Sequence, residues 1–454
     1  MSKKKNFYLV SLGCAKNTVD SDSMAQILIN DGYTMVDNER EAGILIVNTC
    51  GFIGPAKDES IEVLNDLSSR KKKDQFLIAA GCLTQRYGVE VAQKVPGIDG
   101  ILGTRRWMDI AQLTNQLRGS RHPQPIYHLP EDLTIGTDEH GVTRASLNGS
   151  SAYLKIADGC RRPCAFCAIP LIKGTLVSRP VESILAEASE LQDLGTRELI
   201  LIAQDTTDYA HDRGEKEGLV NLLRKLNHAA PNIDWLRVMY SFPGYVTDSF
   251  IDLMAEGGQL LPYFDIPLQH ANPATLTRMK RPSNMDWVKH TIEKMRLRIP
   301  NLAIRTTFIV GYPGETDQEF ADLIKFIKDV RFDRVGAFQF SFEPGTSSEP
   351  LGDDVPAEVK QARWEELMET QQAISLEINQ SFVGKQLDVL VEGFDNGISF
   401  GRSYRDAPEI DGLVLIEGQL PLGEIVPVRV TGAMAYDLNA LPIRAEKSKP
   451  ILLR

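Results

Sequence analysis

Three apolar runs of strand length stand near the start of the chain, and each leads directly to a cysteine. "FYLVSL" (Phe7–Leu12) precedes Cys14, "ILIVNT" (Ile44–Thr49) precedes Cys50, and "FLIAAG" (Phe76–Gly81) precedes Cys82. Amphipathic stretches near Ser21–Asp31 and Lys57–Lys72 separate these runs. β-Branched runs without alternation, spaced by helices, predict a parallel α/β sheet buried on both faces. Parallel sheets bind ligands at the carboxyl ends of their strands, so three cysteines far apart in sequence fall on one rim. A single strand-end cysteine is often a small core residue. Three on successive strands argue for a ligand set.

A second α/β series follows a polar, Pro- and Gly-rich stretch at 119–150 that reads as a linker with a short hairpin. Strands are expected at Tyr153–Ala157, Glu198–Ala203, Leu236–Tyr240, Tyr263–Ile266, Ile304–Val310 and Val335–Phe340, with helices between them such as Val181–Leu194 and Asp317–Val330. Six βα units predict a partial (β/α)6 barrel whose working face is the C-terminal end of its strands. A charged helix over Ala357–Gln380 leads to a tail of short valine-rich runs broken by Gly, Pro and Asn, which predicts a small antiparallel β-barrel. The expected organisation is an α/β multidomain chain: an N-terminal sheet domain (1–118), a linker (119–145), the barrel (146–378) and the small β-barrel (379–454).

Directly after the first barrel strand comes "GCRRPCAFC", which places Cys160, Cys164 and Cys167 in one loop. Three thiolates at C-x3-C-x2-C spacing can hold three corners of a [4Fe-4S] cubane and leave the fourth iron open. The competing reading is a structural zinc with His270 or another histidine as fourth ligand. Irregular cysteine spacing in a chain of 454 residues does not suit a disulfide scaffold, so reduced thiols in a cytoplasmic setting are expected. After the lysine-rich start, the apolar run Phe7–Gly13 sits at the lower limit for a secreted lipoprotein signal and Ser11 fits it poorly, and no run approaches the roughly 18 residues of a membrane span. A formal charge of −11 argues against a broad nucleic-acid footprint without excluding a local groove.

The cluster loop resembles that of the radical S-adenosylmethionine (SAM) superfamily, with Phe166 in the aromatic place before the last cysteine. "SLGCAKNTVDSD", "IVNTCGFIGPAKDES" and "AAGCLTQRYG" resemble the methylthiotransferase domain, and the C-terminal barrel resembles a TRAM domain. The resemblance implies two [4Fe-4S] clusters, one on Cys160, Cys164 and Cys167 and one on Cys14, Cys50 and Cys82. It also implies two SAM molecules, one methylating a sulfur and one cleaved to a radical that removes hydrogen from the substrate. By the same resemblance Phe166 lies near the adenine. Arg179, Gln204, Asp205, Gln269, Gly311 and Glu315 are SAM-pocket candidates on the shared face, each with a bland alternative as turn, cap or ion-pair residue. A low-potential electron donor such as flavodoxin or ferredoxin and a sulfur donor are the implied partners.

The family divides into enzymes acting on a tRNA adenosine and a branch acting on the β-carbon of an aspartate in small-subunit ribosomal protein S-twelve. "DGCRRPCAFCAIP" and "GCAKN" resemble the protein branch, where the tRNA enzymes resemble "EGCNKYCTFCVVP" and carry glutamine and methionine before the asparagine. The mildly acidic tail also suits a basic ribosomal protein better than tRNA. The tRNA activity is the alternative. A non-catalytic iron–sulfur sensor is a third reading, which the barrel and a SAM pocket disfavour.

Overall fold

In the computed structural model, residues 5–119, 124–130 and 141–443 are described. Residues 120–123 and 131–140 of the expected linker, and the tail charges Arg444, Glu446, Lys447, Lys449 and Arg454, lie outside them.

The three cysteine-tipped runs form the centre of a six-stranded parallel sheet. Its strands are β1 (Asn6–Ser11), β2 (Thr34–Met35), β3 (Ile44–Thr49), β4 (Phe76–Gly81), β5 (Gly100–Gly103) and β6 (Ile126–His128), in the order β2-β1-β3-β4-β5-β6. All six residues of β3 are buried, as an unalternating apolar run requires. Helices α1 (Ala15–Asn30), α2 (Gly54–Arg70), α3 (Cys82–Lys94) and α4 (Ile110–Gly119) follow β1, β3, β4 and β5. β6 falls inside the stretch read as a linker. Three residues at a sheet edge carry no periodic signal, and pairing with β5 alone makes them a strand.

The second series adds β7 (Ala145–Asn148), β8 (Ser151–Lys155), β9 (Ala157–Asp158), β10 (Val177–Ser178), β11 (Glu198–Ile202), β12 (Trp235–Val238), β13 (Tyr263–Asp265), β14 (Ala303–Val310) and β15 (Arg334–Gln339). β7 and β8 form an antiparallel hairpin, and β8, β11 and β12 run parallel. β13, β14 and β15 form a second parallel sheet, and an isolated Leu236–Leu260 bridge spans the break. The six expected strands are all present, as the wall of a partial barrel. Several of the helices between them start at side-chain caps, on Thr247, Asn272 and Asn284 among others. Thr316 and Glu319, for example, form a reciprocal capping box at Asp317–Val330.

β16 (Gln386–Asp395), β17 (Ile398–Ser403), β18 (Val414–Glu417), β19 (Ile425–Ala433) and β20 (Leu438–Pro442) close into a small barrel. Four of its pairings are antiparallel, and β18 pairs with β20 in parallel. The small barrel docks where the large barrel's strands begin. Buried Arg402 reaches Glu198 (2.6 Å) and Ser151 (2.9 Å), the first residues of β11 and β8. Arg334, at the start of β15, meets Asp406 at 2.6 Å, and the Tyr263 hydroxyl, at the start of β13, donates to Asp411 at 2.6 Å. Burial pushes the Glu198 carboxyl up, but the guanidiniums of Arg402 and Arg237 outweigh it and hold it at about 2.

Candidate active site

The first triplet is held by glycines. Cys14 is the N-cap of α1 and Cys82 the first residue of α3, so two of the three thiols stand at positive helix ends that favour a thiolate. A Cβ on Gly13 (φ +93°) would lie 2.8 Å from the Cys50 Cβ, and one on Gly51 would lie 2.5 Å from the backbone of Leu83. The Cys50 and Cys82 loops therefore pack backbone to backbone, and the Cys14 loop lies directly against the Cys50 side chain. Burial pushes the Cys50 thiol up and the Cys82 thiol up to about 12.

The second triplet follows β9. Gly159 takes φ +72°, and a Cβ there would sit 1.9 Å from the Thr175 carbonyl. The Cys160 N–H donates to Gly174 O (3.0 Å), and Ala165 N–H donates to Met279 O (2.8 Å), before α5 (Ile169–Lys173) begins. Cys160, Cys164 and Cys167 line a cavity of about 220 Å³ together with Phe166, Gln204, Asp205, Gln269, Tyr240 and Phe52. Phe52 comes from the N-terminal sheet domain, two residues after Cys50. Arg281 Nη1 lies 3.4 Å from Cys164 Sγ. Burial raises the thiols of Cys160 to about 11 and Cys167 to about 12, so metal loading has to displace protons. Tyr240 (φ +62°) and Gln269 (φ +74°) are left-handed without being glycine, a strained state that the cavity wall maintains.

A buried ion network joins the two triplets' supports. Asp20 of α1 accepts from Lys155 of β8 (2.6 Å), Lys173 of α5 (2.7 Å) and Arg144. Asp158, next to the cluster loop, takes the same three cations. Each of these five side chains is at least nine-tenths buried.

The donor sets fit iron–sulfur clusters better than zinc. Each is made of three soft thiols with no histidine or carboxylate among them, the donor type that iron–sulfur clusters take. His270 is fully buried, its Nδ1 accepts from Asn272 N–H (3.0 Å), and it is not among the residues that line the cavity of the three thiols.

Residues 154–327 match the radical SAM superfamily, residues 6–103 an uncharacterized protein family, UPF0004, and residues 383–443 the TRAM domain. The ribosomal protein uS12 methylthiotransferase RimO of Chloroflexus aurantiacus is 46% identical over 450 residues, covering 95% of this chain and 98% of that protein. The RimO protein of Thermoanaerobacter sp. is 43% identical over 438 residues, covering 96% and 99%. The chain belongs to the RimO family of radical SAM methylthiotransferases. Among solved structures, the radical SAM methyltransferase TsrM of Kitasatospora setae superposes with a TM-score of 0.57 at 14% identity, covering 87% of this chain and 77% of that one, a likeness of fold.

Within this RimO-family chain the expected residues divide. Phe166, Gln204, Asp205 and Gln269 share the cavity with the second triplet. Arg179 does not reach it. Its guanidinium pairs with Glu187 (2.9 Å) and the Lys155 carbonyl (2.7 Å), on a separate cavity of about 410 Å³. Gly311 and Glu315 also stand outside the cavity lining. The Glu315 carboxylate accepts from the Gly311 and Tyr312 N–H groups and braces its own loop. Asp205 is already paired, with Arg162 Nε at 2.6 Å. Phe52, Tyr240, Phe242 and Arg281 were not anticipated. No spacing announces them, because they reach the site from three different segments.

Gly159→Ala is expected to cost the second triplet its cluster, since the residue cannot hold φ +72° beside the Thr175 carbonyl without moving Cys160. If each triplet holds one four-iron cluster, iron per chain should fall by roughly half. Full loading of the purified variant would contradict this.

Proposed function

We propose that this chain adds a methylthio group to the β-carbon of an aspartate in ribosomal protein uS12, the substrate named for its relatives, using two [4Fe-4S] clusters and SAM. The observation that carries this reading is Phe52. It follows Cys50 of one triplet and walls the cavity of the other, which supports a shared space for both sets of thiols. When bound, the cluster on Cys160, Cys164 and Cys167 would supply the electron that cleaves SAM, and that on Cys14, Cys50 and Cys82 would supply the methylthio group.

The protein's own residues orient and shield. Phe166, packed on Met279, Tyr312 and Phe340, and the polar ends of Gln204 and Gln269 are proposed to hold SAM. Phe52, Phe242 and Tyr240 make the remaining wall largely apolar and exclude water from the reacting carbon. Arg281 at Cys164 Sγ would stabilise the thiolate that ligation requires. The division into 1–118, 146–378 and 379–454 assigns sulfur chemistry, SAM cleavage and partner contact to separate units.

The small barrel's surface supports a basic protein partner. Among the described residues, Arg402 and Arg405 are buried in the interface with the large barrel, and the small barrel's exposed charges are Asp388, Glu392 (which also meets Arg402), Asp395, Glu409, Glu417 and Glu424 against Lys385 and Arg429. Such a face attracts a basic ribosomal protein and repels phosphate. A flavodoxin- or ferredoxin-like donor, a sulfur donor and a cytoplasmic setting complete the proposal. Among the described residues, no helix is long and apolar enough to cross a membrane.

Mass spectrometry of small-subunit proteins and tRNA nucleosides from strains with and without the gene tests it. The expected result is loss of a methylthio increment on the uS12 aspartate with tRNA unchanged. Loss of methylthiolated adenosine instead would overturn the reading.

A further inference from the structure

Lys16 is badly placed for a structural lysine. It sits in the first turn of α1, where the helix dipole disfavours a cation. It is only 9% exposed. Its ammonium lies 3.2 Å from the Tyr240 ring centroid, and among the described residues no hydrogen bond or ion pair reaches it. Burying a charge without an anion is costly, and one aromatic face offsets only part of that cost.

The neighbouring charges are already matched. Asp265 accepts from the Tyr240 N–H (3.1 Å) and Arg305 (3.0 Å). Asp20 and Asp158 serve Lys155, Lys173 and Arg144. Among the cations, Arg162 faces Asp205, and Arg281 is engaged by Cys164 Sγ and the Pro267 carbonyl. Lys16 therefore makes no direct ion pair among the described residues, with Cys14, Asp265 and Asp158 acting on it only from a distance, and it stands two residues after Cys14 and against Tyr240, which lines the cavity of Cys160, Cys164 and Cys167.

The reaction places an anion in this region. The carbon that reacts in an aspartate side chain is bonded directly to its carboxylate, so bringing that carbon between the two triplets brings the carboxylate with it. A carboxylate entering this apolar wall loses water and needs a fixed cation.

We propose that the Lys16 ammonium is the group that binds the side-chain carboxylate of the substrate aspartate. The assignment rests on the uS12 reading above and deepens it. It makes Lys16 a selector of aspartate over its uncharged isostere, because asparagine would leave the ammonium unpaired.

The test uses reconstituted holoenzyme and fluorescently labelled uS12, either native or with its target aspartate replaced by asparagine. Wild type is expected to bind native uS12 about 30-fold or more tightly than the asparagine form. Lys16→Met should remove that preference by weakening the native form alone, and Lys16→Arg should retain most of it. Equal weakening of both forms by Lys16→Met would show a docking brace or a cluster counter-charge and overturn the proposal. Equal binding of both forms by wild type would overturn it without any variant. If wild type binds neither form, the uS12 reading itself fails and the Lys16 assignment falls with it.

Discussion

Cys164→Ala should abolish release of 5′-deoxyadenosine from SAM under dithionite, whereas Cys50→Ala should leave it. Cys164 is one of three thiols on the barrel cavity, and an alanine removes a soft ligand that water cannot replace. The expected loss is at least about a thousandfold, some 4 kcal/mol in the barrier. Cys50 belongs to the other sheet, on the loop after β3, and the cavity wall it contributes to is Phe52. Its removal should lower iron from roughly eight to roughly four atoms per chain while SAM cleavage continues without methylthio transfer. The pair of variants separates the two triplets by product, one losing both chemistries and the other losing one. If Cys50→Ala also stops 5′-deoxyadenosine release, the N-terminal triplet is not an independent centre. Retained release in Cys164→Ala would remove the barrel triplet from SAM cleavage altogether.

The second large effect is on stability. Asp20→Ala deletes the carboxylate shared by Lys155, Lys173 and Arg144, leaving three buried cations on Asp158. Breaking such a network by removing one partner costs about 3–5 kcal/mol, because the remaining charges stay desolvated. A drop in melting temperature on the order of 10 °C is expected in a thermal scan. Asp248→Ala, which removes an exposed ion pair with Lys294, is the control that should leave the midpoint in place. The pH dependence has a definite sign. Burial pushes the Asp20 carboxyl up, but Lys155, Lys173 and Arg144 outweigh it and hold it far below the ordinary value of 3.8. Its contribution is therefore fully present above the unfolded value, begins to fall as acid protonates the unfolded chain near pH 4, and is lost toward the folded value. Wild type should lose stability over that window and Asp20→Ala should lose less. Because α1 carries Cys14 and α5 follows Cys167, the same variant should also loosen one triplet against the other.

The strands that carry the cysteines were legible because their apolar runs are long and unalternating. The helix at Ala357–Gln380 has the bounds its composition suggested. Proximity was legible only as topology. Parallel connection placed Gln204, Asp205 and Gln269 at strand ends, and the structure brings them together. Arg179 shows the limit of that argument, since the Val181–Asp193 helix offers Glu187 eight residues further on, a nearer counter-charge than any ligand. Glu315 was equally ambiguous, and the nearest donors to its carboxylate are the amides of its own turn. The tail's arginines looked like surface charge, yet Arg402 and Arg405 find partners at Glu198 and Asp333, distant in sequence, and leave the surface. Such pairings depend on two units meeting, which no local pattern records.

The small barrel seals the large one at the end where the strands begin, and the cysteine loop opens where they finish. Along the eight residues of β14 those ends are roughly 26 Å apart. The buried Arg402–Glu198 and Arg334–Asp406 bonds allow that separation little give. A partner that grips the acidic face and inserts a side chain into the cavity must be at least that broad. A short peptide bearing the right residue gains only one of the two holds. On the function proposed above, the molecule would act as a calliper as well as a catalyst, gauging the girth of whatever presents the aspartate.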